Sequence, residues 1–228
     1  MNVLITAGAT TEKIDSVRSI VNTSTGRLGA LIAEAFVKKG NKVFYICGQN
    51  AALPNLSQGD GFNLRRVTDV SNLQDALSDF FSCNNAHVIV HAMAVSDFRV
   101  KAVTTLRHIK DSVEFNLANN GKIPSDIDDA VLLLEKNPKI IGLLREMSPN
   151  SKIIGFKLLD GSTKEVLLET GFKLLINNKL DFVLANDLTE IFGEVHRGYL
   201  IDKNYNYNHM QTKKEIAEAI VRASLSTL

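Results

Sequence analysis

The 228-residue sequence has no tryptophan, four tyrosines, four prolines and two cysteines, and each shortage argues against a class of protein. Cys47 and Cys83 form no CxxC pair, which speaks against a disulfide scaffold or a zinc ribbon. Both stand in or beside apolar segments and read as buried, reduced thiols. Four prolines are too few to punctuate a multidomain chain. No apolar run approaches the ~18 residues of a membrane-spanning helix, and the start at Met1 lacks the basic region of a signal peptide. A cytoplasmic protein with no membrane partner is expected. An excess of either charge is missing too: 26 Lys+Arg face 25 Asp+Glu, a net charge of +1. With so few aromatics, that balance disfavours a nucleic-acid partner. The five histidines are scattered and show no HxH spacing, so no metal ligands are assigned. A Gly-x-Ser-x-Gly elbow and a Walker lysine are also lacking.

What remains is an ordinary globular composition, 45% hydrophobic and 22% charged, of a length suited to one domain over residues 1–228. Apolar segments alternate between two periods. Residues 3–6, 43–47, 64–67, 88–92, 152–156 and 181–185 read as short strands. Leu28, Leu31, Ile32, Ala35 and Phe36 follow the spacing of a helix that Gly40 ends. Ser71 is a candidate N-cap for a helix to about residue 81, and further helices are expected near Pro138, with Asn137 as cap, and near Ser162. Strand and helix in this order predict an α/β fold, a doubly wound and mostly parallel sheet. Residues 95–136 fit the alternation poorly and read as an inserted β-rich arm or lid. Ligands of such sheets bind at the carboxyl ends of the strands.

The first such end carries Gly8, then Arg18, Asn22, Ser24, Gly26 and Gly29 before the first helix. A dinucleotide turn has three glycines within six residues; here they are split by polar side chains. The loop still offers backbone N–H groups and a helix dipole to an anion. After the strand at 88–92, small residues including Ala94 lead to Asp97, leaving room for a flat ring beside a carboxylate. Tyr199 and Lys203 match the Tyr-x-x-x-Lys pair of NAD(P)-dependent short-chain reductases. That pair needs a helix, where i and i+4 share a face; a strand-like segment opened by Gly198 sets them ~13 Å apart. Cys47-Gly48-Gln49 also lacks the acid that such a reductase places after its second strand.

Taken in order, Arg18, Asn22-x-Ser24-x-Gly26-x-x-Gly29, Ala94-Val-Ser-Asp97, Lys122-Ile123, Asn137-Pro-Lys-Ile140, Gly155-Phe156 and Ala185-Asn186-Asp187 resemble phosphopantothenate cysteine ligase, also called phosphopantothenoylcysteine synthetase. The resemblance covers almost the whole chain and implies a Rossmann-like fold. It implies an amide ligase, unrelated to ATP-grasp enzymes, in the second step of coenzyme A synthesis. The substrates would be 4'-phosphopantothenate, cysteine and CTP, with an acyl-cytidylate intermediate and Mg2+ on the triphosphate. It further implies catalytic roles for Asn22 and Lys122 and substrate binding by Arg18, Ser24 and Gly26. Nucleotide binding falls to Gly8, Ala94, Asp97, Pro138, Lys139, Ile140, Ile141, Phe156 and Lys173. Relatives of this kind are homodimers, and the start at Met1 suggests a stand-alone synthetase without a flavin domain. Lys122-Ile-Pro-Ser lacks two lysines of the family's Lys-x-Lys-Lys lid element. A cationic stretch of Arg99, Lys101, Arg107 and Lys110 precedes it without an acid. A non-catalytic nucleotide-binding module is the remaining reading.

Overall fold

The computed structural model describes all residues except 60, 112–115, 118–120, 194 and 227–228. The middle of the expected arm thus lies partly outside the described residues. From the amino end come β1 (Asn2–Ala7), a small hairpin of β2 (Thr11–Lys13) and β3 (Ser19–Val21), α1 (Arg27–Lys38), β4 (Lys42–Gly48), β5 (Phe62–Val67), α2 (Val70–Cys83) and β6 (Val88–His91). The arm contains β7 (Phe98–Thr105), α3 (Leu106–Lys110) and β8 (Ala130–Lys136). It is followed by α4 (Ile140–Met147), β9 (Lys152–Leu159), α5 (Lys164–Asn177), β10 (Phe182–Asp187), β11 (Ile191–Phe192), β12 (Val195–Asp202), β13 (Tyr207–Thr212) and α6 (Lys213–Leu225).

One sheet runs in the order β11-β12-β10-β9-β6-β1-β4-β5, with β13 also paired to β12. The core ladders from β5 to β10 are parallel, and β12 joins β10 antiparallel. The mostly parallel, doubly wound sheet is as the alternation predicts. The chain winds outward from β1 to β4 and β5, then returns to the other side of β1 as β6. The reversal between β1 and β6 is the topological switch point, where open α/β sheets bind ligands.

Strand alternation assigns the two faces of the sheet. Val3, Ile5 and Ala7 pack with residues of α1 and α6, among them Ile32, Phe36, Ile216 and Ile220. Leu4, Ile89 and Ile153 pack on the other face with Leu73 and Leu77 of α2 and Ile140 and Leu144 of α4. Burial on both faces explains why these strands read as continuous apolar runs rather than alternating ones.

Four local expectations are corrected. The cap of α2 is Asp69, whose carboxylate accepts from the Asn72 N–H at 2.8 Å; Ser71 lies inside the helix. Helix α4 starts at Ile140 with Lys139 at its N-cap position. Asn137 is buried and occupied elsewhere, donating to the Ser96 carbonyl at 3.1 Å and to Glu12 Oε1 at 3.4 Å. Cys47 is buried as expected, but Cys83 is exposed at the end of α2. The cationic stretch is partly neutralised, since Arg99 meets Glu135 of β8 at 2.7 Å and Arg107 meets Asp111, at the end of α3, at 3.8 Å. The arm is nevertheless β-rich: β7 and β8 form an antiparallel hairpin separate from the main sheet. Phe98, Leu132, Leu133 and Leu134 on it are 40–48% exposed.

Candidate active site

A cavity of about 750 Å3 opens over the carboxyl ends of β1, β6, β9 and β10. Five separated stretches line it: residues 22–29, 91–97, 138–141, 156–158 and a group comprising Asn186, Leu188, Ile191, His196 and Lys213. Among the described residues that line it, the one acidic side chain is Asp97, against Arg27, Lys139, Lys157 and Lys213. Asp97 is held by Lys139 at 2.5 Å on the exposed rim. The near-zero net charge of the chain therefore hides a cavity biased toward anions.

Helix termini add to that bias. Helices α2, α3, α5 and α6 each start under a side-chain cap, from Asp69, Thr105, Thr163 and Thr212. Helices α1 and α4 have no side-chain cap, and both start in the cavity wall, through Gly26 to Gly29 and Ile140 to Ile141; of the capped helices, α6 reaches the wall with Lys213. Uncapped N–H groups and the positive end of the dipole are thereby left to a ligand. Gly26 makes this possible at α1. It sits at φ 75°, a left-handed conformation open to glycine. A Cβ there would stand 3.1 Å from the Gly8 nitrogen. Gly8, also left-handed at φ 78°, leaves no room for a Cβ beside Ala51.

Behind the first loop, Asp15 works as a clamp. Its carboxylate accepts from the N–H groups of Val17 at 2.8 Å, Arg18 at 2.7 Å and Ile123 at 3.0 Å, and it pairs with the Arg18 guanidinium at 3.4 Å. Arg18 in turn donates to the Ile123 carbonyl at 3.4 Å. Burial opposes the charge on Asp15, but these donors outweigh it and hold the carboxyl below its usual range. Ile123 is buried, so Lys122 is tethered next to the Arg18 loop while its own side chain stays exposed.

Two buried histidines line the cavity. His91, at the end of β6, has its Nδ1 2.7 Å from Thr6 Oγ1, and burial pushes its pKa down to about 4. His196 on β12 has Nε2 3.4 Å from Asn186 Nδ2, and its Nδ1 has no partner among the described residues. Burial, aided by the Lys213 charge, lowers its pKa to about 4 as well. Both imidazoles are therefore neutral at pH 7.

Of the residues singled out from the sequence, Asn22, Ser24, Gly26, Ala94, Asp97, Pro138, Lys139, Ile140, Ile141 and Phe156 all line this one cavity. Asn22 Nδ2 donates to the Ala94 carbonyl at 3.4 Å, which links the first two stretches. Gly8 lies beneath the wall, and Arg18 and Lys122 lie beside it in the Asp15 clamp. Lys173 is on α5, next to Leu174 of the wall, with its ammonium 3.9 Å from Glu169. Sequence reasoning did not single out His91, His196 or Lys213. A polar residue ending a buried strand was the available signal for His91; nothing local marked the other two.

The reductase geometry is absent. Tyr199 is buried in β12, and Lys203 beyond the strand end pairs with Asp181 at 2.7 Å. Among the described residues there is no group of three or more His, Cys, Asp or Glu side chains able to hold a metal. Of the described residues that line the cavity, Asp97 carries the one carboxylate, the kind of ligand that Mg2+ takes alongside phosphates. Among the described residues no helix is long and apolar enough to cross a membrane.

Residues 1–227 match the family model of the DNA/pantothenate metabolism flavoprotein C-terminal domain. A solved structure of the DNA/pantothenate metabolism flavoprotein from Streptococcus pneumoniae is similar at a TM-score of 0.88 and 36% identity, covering 97% of each chain. The C-terminal domain of the coenzyme A biosynthesis bifunctional protein CoaBC is similar at a TM-score of 0.70 and 25% identity, over 97% of this chain and 92% of that one. The coenzyme A biosynthesis bifunctional protein CoaBC of Thermococcus kodakarensis is 32% identical over 219 residues, 96% of this chain and 49% of the relative. The chain spans about half the length of the curated relatives that it matches most fully. With its sheet order, its cavity at the switch point and this match along almost its full length, the chain belongs to the DNA/pantothenate metabolism flavoprotein C-terminal domain family.

Proposed function

We propose that this chain is a phosphopantothenate cysteine ligase, which joins 4'-phosphopantothenate to cysteine at the expense of CTP. The observation that carries the reading is the pairing of the two uncapped helices with the cavity: α1 and α4 alone among the described helices lack a side-chain cap, and both open onto it. Two phosphorylated substrates need that arrangement. The names of the matched relatives, coenzyme A biosynthesis bifunctional proteins, support the same pathway.

In the first half-reaction a carboxylate oxygen of phosphopantothenate attacks the α-phosphorus of CTP. The new O–P bond forms as the bond to the β-phosphate oxygen breaks, and pyrophosphate leaves. Negative charges must approach each other, and Arg27, Lys139, Lys157, Lys213 and the two helix termini offset that repulsion. The Asn22 amide, at the mouth of the cavity, donates to the acyl oxygen without bringing a charge of its own. In the second half-reaction the cysteine nitrogen, as a free amine, attacks the acyl carbon, the acyl C–O bond breaks, CMP leaves with the bridging oxygen, and the nitrogen gives up one proton and keeps the other as the amide N–H. Lys122, tethered through Ile123, serves this step. Mg2+ bound to the triphosphate would share the charge neutralisation.

Pyrophosphate release with CTP, phosphopantothenate and cysteine, set against ATP, tests the reading; no release with either nucleotide overturns it. Asn22→Asp puts an anion where negative charge develops, and acyl-cytidylate formation is expected to be abolished. Lys122→Gln is expected to spare pyrophosphate release while product stalls; equal loss of both half-reactions in that variant removes this division of roles. We also propose a homodimer in which the exposed β7–β8 hairpin meets the second copy.

A further inference from the structure

Thr6 and His91 are register partners at the ends of β1 and β6, on the two strands that flank the switch point. The contact between Thr6 Oγ1 and His91 Nδ1, 2.7 Å long and buried, is the one hydrogen bond of the Thr6 hydroxyl among the described residues. The direction of this contact follows the imidazole tautomer; with no second acceptor for the hydroxyl among the described residues, the arrangement that satisfies both groups has Thr6 donating to Nδ1 and the neutral ring carrying its proton on Nε2.

Among the described residues the Nε2 atom has no hydrogen bond, and His91 lines the cavity. Leu4 and Ile89, two residues earlier on the same strands, pack against α2 and α4. Thr6 and His91 face that same layer, the side on which residues 138–141 close the cavity. Ala92 and Ala94 follow with small side chains, leaving room for a ring or a ribose beside the imidazole.

We infer that His91 Nε2–H is a hydrogen-bond donor to an uncharged acceptor on the nucleoside part of the bound nucleotide, and that Thr6 is the positioning residue that sets its tautomer. A buried, neutral donor matches a base carbonyl, a ring nitrogen or a ribose oxygen. The phosphates are served by the cations and by the uncapped termini of α1 and α4. The inference rests on the reading of the cavity as a nucleotide site and adds to it a role for His91 and Thr6, side chains to which the sequence analysis gives none.

The test is 15N-histidine NMR on the full chain. From pH 8 to 5.5 His91 is expected as the Nε2–H tautomer, and cytidine or CTP is expected to shift its Nε2 resonance. Pyrophosphate or 4'-phosphopantothenate alone should leave it in place. Cytidine against 2'-deoxycytidine and uridine separates a ribose contact from a base contact. An Nδ1–H tautomer overturns the inference, as does an unmoved Nε2 resonance while calorimetry shows CTP bound, or an equal shift with pyrophosphate alone. In kinetics, His91→Phe is expected to raise the KM for CTP about tenfold while leaving the KM for phosphopantothenate unchanged. Thr6→Val should do the same to a smaller extent, and Thr6→Ser should behave as the parent. Rises in both KM values together overturn it. Wild-type pyrophosphate release tests the ligase reading separately: absence of release with intact nucleoside shifts at His91 rejects that reading and keeps the donor.

Discussion

At the scale of single residues, the site is held by side chains that do not face it. Asp15 gathers Val17, Arg18 and Ile123 onto one carboxylate, so a change there acts on two loops at once. Asp15→Asn keeps the shape but offers one acceptor oxygen where the carboxylate offers two. Weaker protection of the Ile123 amide in hydrogen exchange is expected, together with a larger loss in the amide-forming step than in pyrophosphate release. The two buried histidines give a pH signature. Both have folded pKa values near 4 against an ordinary value of 6.5. Below pH 6.5 the unfolded chain takes up protons that the native state refuses. Stability is thus fully present above pH 6.5 and falls toward pH 4, by about 1.4 kcal/mol per pH unit for each histidine. Urea midpoints at pH 7 and 5.5 measure the slope, and replacing either histidine by phenylalanine should remove about half of it.

At the scale of elements, close approach decides where helices sit. A Cβ on Gly29, in the first turn of α1, would lie 2.5 Å from the Ala7 Cβ of β1. Alanine is the better helix former by about 1 kcal/mol, yet Gly29→Ala is expected to cost about 1–3 kcal/mol net through overpacking. It also pushes the open end of α1 off the cavity. Calorimetry should show weaker CTP binding, and adding Ala7→Gly should recover the binding. The central parallel strands and helices α1, α2, α4 and α5 were legible in the sequence because burial on both sheet faces leaves unbroken apolar runs and helix periods, whereas the β2–β3 hairpin, β13 and α6 were not read from it. Their exact starts were less so. Asn137 looks like a cap beside Pro138, but its amide is spent on Glu12 and Ser96, contacts of the folded chain only. Asp69 outcompetes Ser71 because its carboxylate reaches the Asn72 N–H. Likewise, ten of the residues taken from motifs converge on the cavity, whereas His196 and Lys213 arrive through the reversal of β12 and β13, which no local pattern announces.

At the scale of the whole molecule, the arm stands apart from the core. A lone two-stranded hairpin is at best marginally stable in water, and this one leaves Phe98, Leu132, Leu133 and Leu134 40–48% exposed. Replacing Leu132 and Leu134 by aspartate is expected to turn a dimer into a monomer in sedimentation experiments with the thermal unfolding of the core unchanged; a monomeric parent chain removes the proposed assembly.

The sheet order has a kinetic meaning as well. Strands β1, β4, β5 and β6 come from residues 2–91, while β9, β10, β12 and β13 come from residues 152–212. Within the sheet the two sets meet in a single ladder, where Val88, Ile89 and Val90 face Lys152, Ile153 and Ile154. This seam closes a loop of about 60 residues, and the β1–β6 ladder inside the first set joins residues 85 apart, so both closures carry an entropic cost that precedes any gain. The cavity straddles the seam, with Asn22 and His91 on one bank and Phe156, Asn186 and His196 on the other. During refolding, the ability to hold a nucleotide should therefore return with the slowest phase, after most secondary structure has formed.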